Sequence, residues 1–192
     1  GGGSITFSAS LDGTTDFAED LQLTAGTGSI DFDLAVGGTT DLGAISVVSA
    51  LDVTAAAGFN ADSFAQDAGT GDTQFDGAVL LEAAGGLAVT TSTVTINSTI
   101  DTLTSGNGGS VTVTNAGLLD IASGADMELD GAFLQDGAGS VQTAGDITTT
   151  SDAITFTTDV TLTDGESLAI DTGAGGGSIT FSASLDGTTD FA

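Results

Sequence analysis

The chain has 192 residues, of which 27 are Asp or Glu and none is Lys, Arg or His, so its formal net charge at pH 7 is −27. Nucleic acids and anionic membranes repel such a surface, because proteins bind phosphates through Lys and Arg. The absence of Cys excludes disulfides and thiol chemistry. A hydrophobic content of 40% is enough for a folded core.

The chain begins and ends with the same sequence, GGGSITFSASLDGTTDFA, at 1–18 and at 175–192. Identity at every position, including positions that packing would leave free to vary, indicates a tandem duplication. We therefore expect residues 1–174 to form one repeat unit and residues 175–192 to start the next identical unit, with no linker between them. On this interpretation the sequence is a window from a longer tandem array.

A finer repeat lies within the unit. Residues 1–25 align without gaps to residues 26–50 and share G-x-G-S-I-x-F, then G-T-T-D and a closing Ala. Apolar and polar residues alternate in S-I-T-F-S-A-S-L, which is typical of a strand with one buried face. Pairs of inward residues recur at steps of roughly 17–25 residues, a spacing typical of repeat architectures. A longer step before Phe156 must contain another turn. The pairs are Ile5/Phe7, Ile30/Phe32, Leu51/Val53, Thr73/Phe75, Val94/Ile96, Val111/Val113, Ile154/Phe156 and Ile179/Phe181.

Short strands at this spacing predict an all-β fold, a parallel β-solenoid (β-helix) of about eight coils per unit and roughly 38 Å in length. A sandwich of antiparallel strands is the alternative, since regular turn signals also describe immunoglobulin-like domains. The gapless self-alignment and the absence of Trp, Tyr and Cys favour the solenoid. Within it, Phe7 should stack on Phe32, and the segments GGGS and GTGS should form corners.

Several longer segments resemble the tandem repeats of giant bacterial secreted surface proteins, the filamentous-haemagglutinin-like or β-strand repeat adhesins. These segments include DTGAGGGSITFS, LQLTAGTGSIDF, SFAQDAGTGDTQFDGAV and TAGDITTTSDAITF, and the likeness extends through the whole repeat unit. The resemblance implies a secreted, very long parallel β-helix that acts as a fibre, a stalk or an adhesin. It implies no catalytic residues.

The composition also bears on catalysis. The residue types that serve most nucleophilic and acid–base mechanisms, His, Cys, Lys and Tyr, are missing. Carboxylate pairs such as Asp31 with Asp33 could serve polysaccharide cleavage, which needs one acid with a raised pKa in a cleft. These residues fall on turn or outward positions, so we predict that the chain is not an enzyme. Ice binding is a further weak alternative, because the T-x-T motifs shift in register between copies.

Calcium suits this composition, since it takes carboxylate and backbone oxygens as ligands, whereas zinc needs imidazole or thiolate. The motif G-T-T-D occurs at 13–16, 38–41 and 187–190, and stacked coils would bring Asp16 beside Asp41. Like charges at that distance destabilise the stack unless a cation lies between them. We therefore predict a weak Ca²⁺ site at Asp12, Asp16, Asp20 and Asp41, with no cofactor required. The alternative is a ladder of solvated turns that ordinary salt screens.

These observations lead us to expect a structural repeat of a giant extracellular fibre or cell-surface stalk. Its partners would be neighbouring units of the same protein, end to end and between lateral rods, with no nucleic acid and no membrane insertion. An adhesin module that binds glycan or another cell surface is the alternative, and it predicts an irregular loop or an exposed aromatic patch. Phe59, Phe64 and Phe133 are the candidates for such a patch, although they also suit a core. A chain without Lys or Arg offers no site to trypsin-like proteases, which suits a secreted protein.

Overall fold

The structure is a computed structural model that describes residues 2–104, 106, 109–163, 165 and 167–188. These residues contain 21 β-strands and no helix. In chain order the strands are β1 Ile5–Phe7, β2 Leu21–Thr24, β3 Ile30–Phe32, β4 Leu42–Ser49, β5 Val53–Ala55, β6 Phe59–Gln66, β7 Asp72–Phe75, β8 Val79–Thr91, β9 Thr93–Ile96, β10 Ile100–Asp101, β11 Val111–Asn115, β12 Leu119–Ile121, β13 Met127–Leu129, β14 Phe133–Gln135, β15 Val141–Thr143, β16 Ile147–Thr149, β17 Ile154–Phe156, β18 Val160–Leu162, β19 Ile170–Asp171, β20 Ile179–Phe181 and β21 Leu185–Gly187.

The strands wind into a three-sided solenoid, and each turn of the chain contributes to three faces. Face 1 is a sheet of nine strands, in the order β1, β3, β5, β7, β9, β12, β15, β18 and β21. The second sheet bends along its long strands β4, β6 and β8 and supplies the other two faces. Face 2 contains Leu11, Val36, the first residues of β6 and β8, and then β10, β13, β16 and β19. Face 3 contains β2, the last residues of β4, β6 and β8, and then β11, β14, β17 and β20.

All strand pairs are parallel, and the stack has about eight turns, which confirms the predicted β-solenoid. Ile5 lies opposite Ile30, so the self-alignment of residues 1–25 with 26–50 corresponds to one turn stacked on the next. The long step before Phe156 does contain another turn, since β14 lies between β11 and β17. The row of residues that lie opposite one another along face 1 is Ile5, Ile30, Val53, Thr73, Val94, Leu119, Val141, Val160 and Leu185.

Two details of the predicted strand pairs are wrong. Leu51 is 39% exposed at a corner, and the buried pair of that turn is Val53 with Ala55, because the strand starts two residues later than predicted. The second error concerns face identity: Val111 and the pairs that follow it lie on face 3, whereas the earlier pairs lie on face 1. Every face accepts the same alternating pattern, so the pattern does not tell one face from another.

The core is the column of inward side chains enclosed by the three faces. Phe59, Phe64 and Phe133 are 0–1% exposed and belong to this core. Phe7 stacks on Phe32 with ring centroids 5.1 Å apart and planes 4° from parallel, as predicted. Alternation with period two therefore places apolar residues inside on each face, and stacked turns align them into continuous rows.

Corners bring successive turns too close for side chains, and GTGS at 26–29 is such a corner. A Cβ added to Gly28 would lie 2.5 Å from the carbonyl carbon of Gly3 in the neighbouring turn, and Gly26 has φ of +65°. Glycine fits because it has no Cβ and adopts positive φ without strain. The Gly-rich segment at 26–29 is therefore a corner, as predicted.

Candidate functional site: corners and open ends

The aspartates at the corners connect one turn to the next. Within the described residues, seven of them accept a hydrogen bond from a backbone N–H in the turn that follows, at N···O distances of 2.7–3.4 Å. The acceptors are Asp12, Asp16, Asp20, Asp52, Asp126, Asp146 and Asp159. Corners interrupt the ladder of backbone hydrogen bonds, and a carboxylate is a strong acceptor for an N–H left without a carbonyl. These seven aspartates therefore have a structural role in joining successive turns.

All seven of these bonds have the same direction along the rod. The carboxylate belongs to the earlier turn and the N–H to the later one, as in the pair of Asp52 Oδ1 with the N–H of Asp72. Each turn thus presents acceptors to the turn that follows. This polarity makes the two ends of the solenoid chemically different.

The four residues of the predicted Ca²⁺ site lie along the corner between faces 2 and 3. Asp12 Oδ1 accepts the N–H of Thr39 at 2.8 Å, which lowers the pKa of Asp12, and Asp20 Oδ1 accepts the N–H of Ala44 at 2.8 Å. Asp16 lies beside Asp41, as the stacking of the G-T-T-D motifs predicted, and Asp16 Oδ1 is 3.4 Å from the backbone nitrogen of Asp41.

Further carboxylates continue this corner, and we define Asp16, Asp41, Asp62, Glu82 and Asp101 as the acidic corner. Burial raises the pKa of Asp41, and repulsion by Asp16 adds to the shift, while a hydrogen bond from Asn60 opposes it. Burial also raises the pKa of Glu82, with added repulsion from the other four members. These residues follow one another on successive turns, so the charges that repel Glu82 come from turns on both sides of it.

The acidic corner has no convergent ligand set in the part of the chain that the structure describes. There, no group of three or more Asp or Glu side chains is close enough to hold a metal ion. Asp12 and Asp20 each direct one oxygen to a backbone N–H. The third G-T-T-D motif, at 187–190, extends outside the described residues. Binding of Ca²⁺ at the predicted site stays a prediction.

The carboxylate pair that could have served catalysis is open to solvent. Asp31 is half-buried on the outward side of β3, and Asp33 is exposed at the adjoining corner. A groove of about 450 Å³ lies elsewhere, at the corner between faces 3 and 1. Its lining residues are Gly69, Thr70, Thr90, Thr91, Ser92, Thr114, Asn115, Ala116, Gly137 and Ala138, none of them a carboxylate. Sequence reasoning missed this groove, because its residues come from four separate turns.

Beneath this corner lies a network of buried amides that the sequence also did not reveal. Gln135 and Asn115 are both 0% exposed, and Gln135 Nε2 donates to Asn115 Oδ1 at 2.8 Å. Gln135 Oε1 accepts the N–H of Thr157 at 3.1 Å, so the two amides join three successive turns. Gln66 occupies the corresponding position in an earlier turn, but its Nε2 is buried without a hydrogen-bond partner.

The irregular loop between Leu11 and β2 is the most unusual segment outside the stack. Phe17 has φ of +59°, the one positive value for a residue other than glycine in the described ranges. Its ring is half-buried, and its backbone N–H donates to the carbonyl oxygen of Asp41. A bulky residue in this conformation is uncommon and marks a local constraint.

The C-terminal end of the rod, formed by β19, β20 and β21, has no further turn against it within the described residues. Ile179 and Leu185 are each 45% exposed, whereas their partners in the turn before, Ile154 and Val160, are fully buried. The difference arises because an inward side chain is fully buried only when a turn of the solenoid lies on each side of it. Apolar side chains and strand edges therefore lie together at this end of the described stack.

Comparisons with known proteins found no matching family model, no matching curated protein and no matching solved structure. The likeness to filamentous-haemagglutinin-like repeats therefore stays a prediction. Within the described residues, no helix has the length and apolar character needed to cross a membrane.

Proposed function

We propose that the chain is a structural repeat of a giant extracellular fibre or cell-surface stalk, built as one continuous stacked β-rod. The observation that carries the proposal is the stacking of β20, whose sequence is that of β1, in register on β17. The start of the second copy thus continues the parallel ladder without an intervening segment. A stalk or fibre needs this property, because its length comes from adding units along one axis.

Charge and composition support the same proposal. A net charge of −27 keeps neighbouring rods apart, so that growth proceeds lengthwise instead of by sideways clumping. The corner carboxylates hold successive turns together through backbone N–H groups and so make the acidic surface compatible with the stack. A secreted location agrees with the lack of Lys and Arg, since trypsin-like proteases have no cleavage site.

Electron microscopy of the chain at physiological salt tests the proposal. We expect rods that lengthen end to end as salt screens the charge, with a width that stays constant. Ile179→Asp should shorten the rods, because it puts a charge on the apolar end that the next turn must cover. Thr180→Asp is the matched control, since this neighbouring side chain points outward and is exposed. Rods of equal length for Ile179→Asp and the wild type, or compact particles in place of rods, would contradict a fibre.

An adhesin module is the second candidate, and the loop that carries Phe17 favours it. This loop departs from the solenoid and holds a partly exposed aromatic ring beside the acidic corner. Aromatic rings at such positions are common in binding sites. Binding of the chain to a glycan array, with loss of the signal in Phe17→Ala and its retention in Thr6→Ala, would support this role. Equal binding by both variants would assign the signal to the acidic surface in general.

A further inference from the structure

Identical sequences occupy different faces at the two ends of this chain. Ile5–Phe7 forms β1 on face 1, where Ile5 lies opposite Ile30. The second copy of these residues, Ile179–Phe181, forms β20 on face 3, where Ile179 lies opposite Ile154. The next element follows the same shift, since Leu11 pairs with Val36 on face 2 and its copy Leu185 pairs with Val160 on face 1.

The length of the repeat unit is therefore not a whole number of turns. Eight turns along face 1 run from Ile5 to Leu185, whereas the copy of Ile5 in the second unit is Ile179, which comes before Leu185 in the chain. From β1 to β20 the chain passes 23 faces, which is seven turns and two thirds. The second copy starts one face before the eighth turn is complete.

The same strand fits both settings because its inward residues find equivalent partners. Phe7 stacks on Phe32 at 5.1 Å and 4°, and Phe181 stacks on Phe156 at 5.2 Å and 8°. The first contact is with the turn that follows the strand, and the second is with the turn that precedes it. An Ile-Thr-Phe strand can therefore lie between two turns at once, with its aromatic ring inside one continuous column.

The exposed apolar end shows which segment would complete this column. Ile179 and Leu185 lose their exposure only if a further turn covers β20 and β21. In the first copy, β1 is covered by β3, through Ile30 and Phe32. The occupant of the C-terminal end is thus the β3 segment of a second unit of this protein.

We infer that successive units dock end to end with a rotation of one third of a turn, an inference that rests on the proposed fibre. Each unit advances about 37 Å along the axis, at about 4.8 Å per turn. Three units, about 110 Å, return every residue to its starting face. The acidic corner of successive units then faces three directions in rotation. The fibre presents each surface of its unit evenly around the axis, so its charge repels neighbours from every side.

Disulfide cross-linking in this chain, which has no native Cys, tests the inference. The outward residues Thr155 and Thr180 lie opposite each other on face 3, and Thr161 and Asp186 do so on face 1. Neighbouring parallel strands place these Cα atoms within the range that a disulfide spans. Thr155→Cys with Thr180→Cys should therefore cross-link under mild oxidation, as should Thr161→Cys with Asp186→Cys. Thr161→Cys with Thr180→Cys is the matched control and should remain reduced.

The opposite pattern overturns the inference. A unit of eight whole turns would place Thr180 on face 1 beside Thr161, so that this pair cross-links and the pair with Thr155 does not. Failure of all three pairs, or cross-linking of all three, would also refute a single rotated register. Rods in the microscope with the Thr161 to Thr180 cross-link would refute the rotation and leave the fibre intact. Compact particles with the expected cross-links would refute the fibre, whereas the shift of one face between the two copies within the chain would stand.

Discussion

Replacing the buried Gln135 by Met, a side chain of similar size and shape, should destabilise the chain by about 2–6 kcal/mol. Gln135 is 0% exposed, donates to Asn115 Oδ1 at 2.8 Å and accepts the N–H of Thr157 at 3.1 Å. Met can make neither bond, so two buried acceptors, Asn115 Oδ1 and the carbonyl oxygen of Gly137, lose the Nε2 donor, whereas the Thr157 N–H keeps the backbone carbonyl oxygen of Gln135 at 3.2 Å. Each loss costs about 1–3 kcal/mol, because water cannot replace the bond inside the rod.

Gln66→Met is the matched variant, at the corresponding position of an earlier turn. Gln66 is 2% exposed and accepts one bond, from Thr73 Oγ1 at 2.6 Å, while its Nε2 is buried without a partner. Met loses the accepted bond but also removes the unpaired N–H group, and these two effects oppose each other with similar size. We expect a change within about 1 kcal/mol of zero.

Urea unfolding at low ionic strength measures the difference, under conditions where the net charge keeps the chains apart. With an m-value of about 2 kcal/mol per molar, Gln135→Met should lower the midpoint by about 1–3 M, and Gln66→Met should leave it nearly unchanged. Equal shifts for the two variants would refute the assignment of stability to the amide network. A larger loss for Gln66→Met would show that the bond to Thr73 outweighs the unpaired N–H.

Three further predictions concern the carboxylates. Asp52→Ala should lower the free energy of unfolding by about 1 kcal/mol or more, because Asp52 accepts a hydrogen bond from the N–H of Asp72 at 2.9 Å. Asp52→Asn retains an acceptor, and Asp67→Ala removes an exposed carboxylate, so both should change the stability little. Equal effects of the three substitutions would contradict the structural role of the corner aspartates. Burial and neighbouring carboxylates raise the pKa of Glu82, so the folded chain binds protons more readily than the unfolded chain, and the urea midpoint should rise as the pH falls from neutral to about 5. Glu82→Gln should flatten this rise of the midpoint, and an unchanged dependence on pH would argue against the assignment to Glu82. Calcium should raise the midpoint above that in sodium chloride of equal ionic strength, and Asp41→Asn should remove the difference; equal midpoints in the two salts would rule out the predicted site.

The sequence predicted the parts of the fold that depend on local alternation. In Ile30–Phe32 the first and last residues are buried and the middle one is half-buried, as a period of two requires. Stacking of like motifs correctly placed Asp16 beside Asp41, because the offset of 25 residues that pairs Ile5 with Ile30 also relates these two aspartates. These inferences hold because they use only neighbouring residues or one constant offset between two adjacent turns.

The buried amides and the function of the aspartates could not be predicted in the same way. Gln and Asn are mostly exposed in proteins, so Gln135 in a strand is expected to point outward unless its partners are known. Those partners, Asn115 and Thr157, come from the turns before and after. The sequence likewise suggested solvated turns or cation ligands for the corner aspartates. The backbone N–H that donates a hydrogen bond to each carboxylate belongs to another turn, so local sequence does not reveal it.

Face identity was beyond local reasoning for a further physical reason. The chain moves to the next face at each corner, and corners range from a single residue, at Asp62 in β6, to the long loop between Leu11 and Leu21. The step from Val94 to Val111 therefore carries the chain across two faces, although in the sequence it resembles one short turn. All three faces accept the same inward pair, so selection on packing alone does not fix the phase of the repeat. Because the three faces are equivalent in this respect, a unit of seven turns and two thirds packs stably, and its phase cannot be predicted from the sequence.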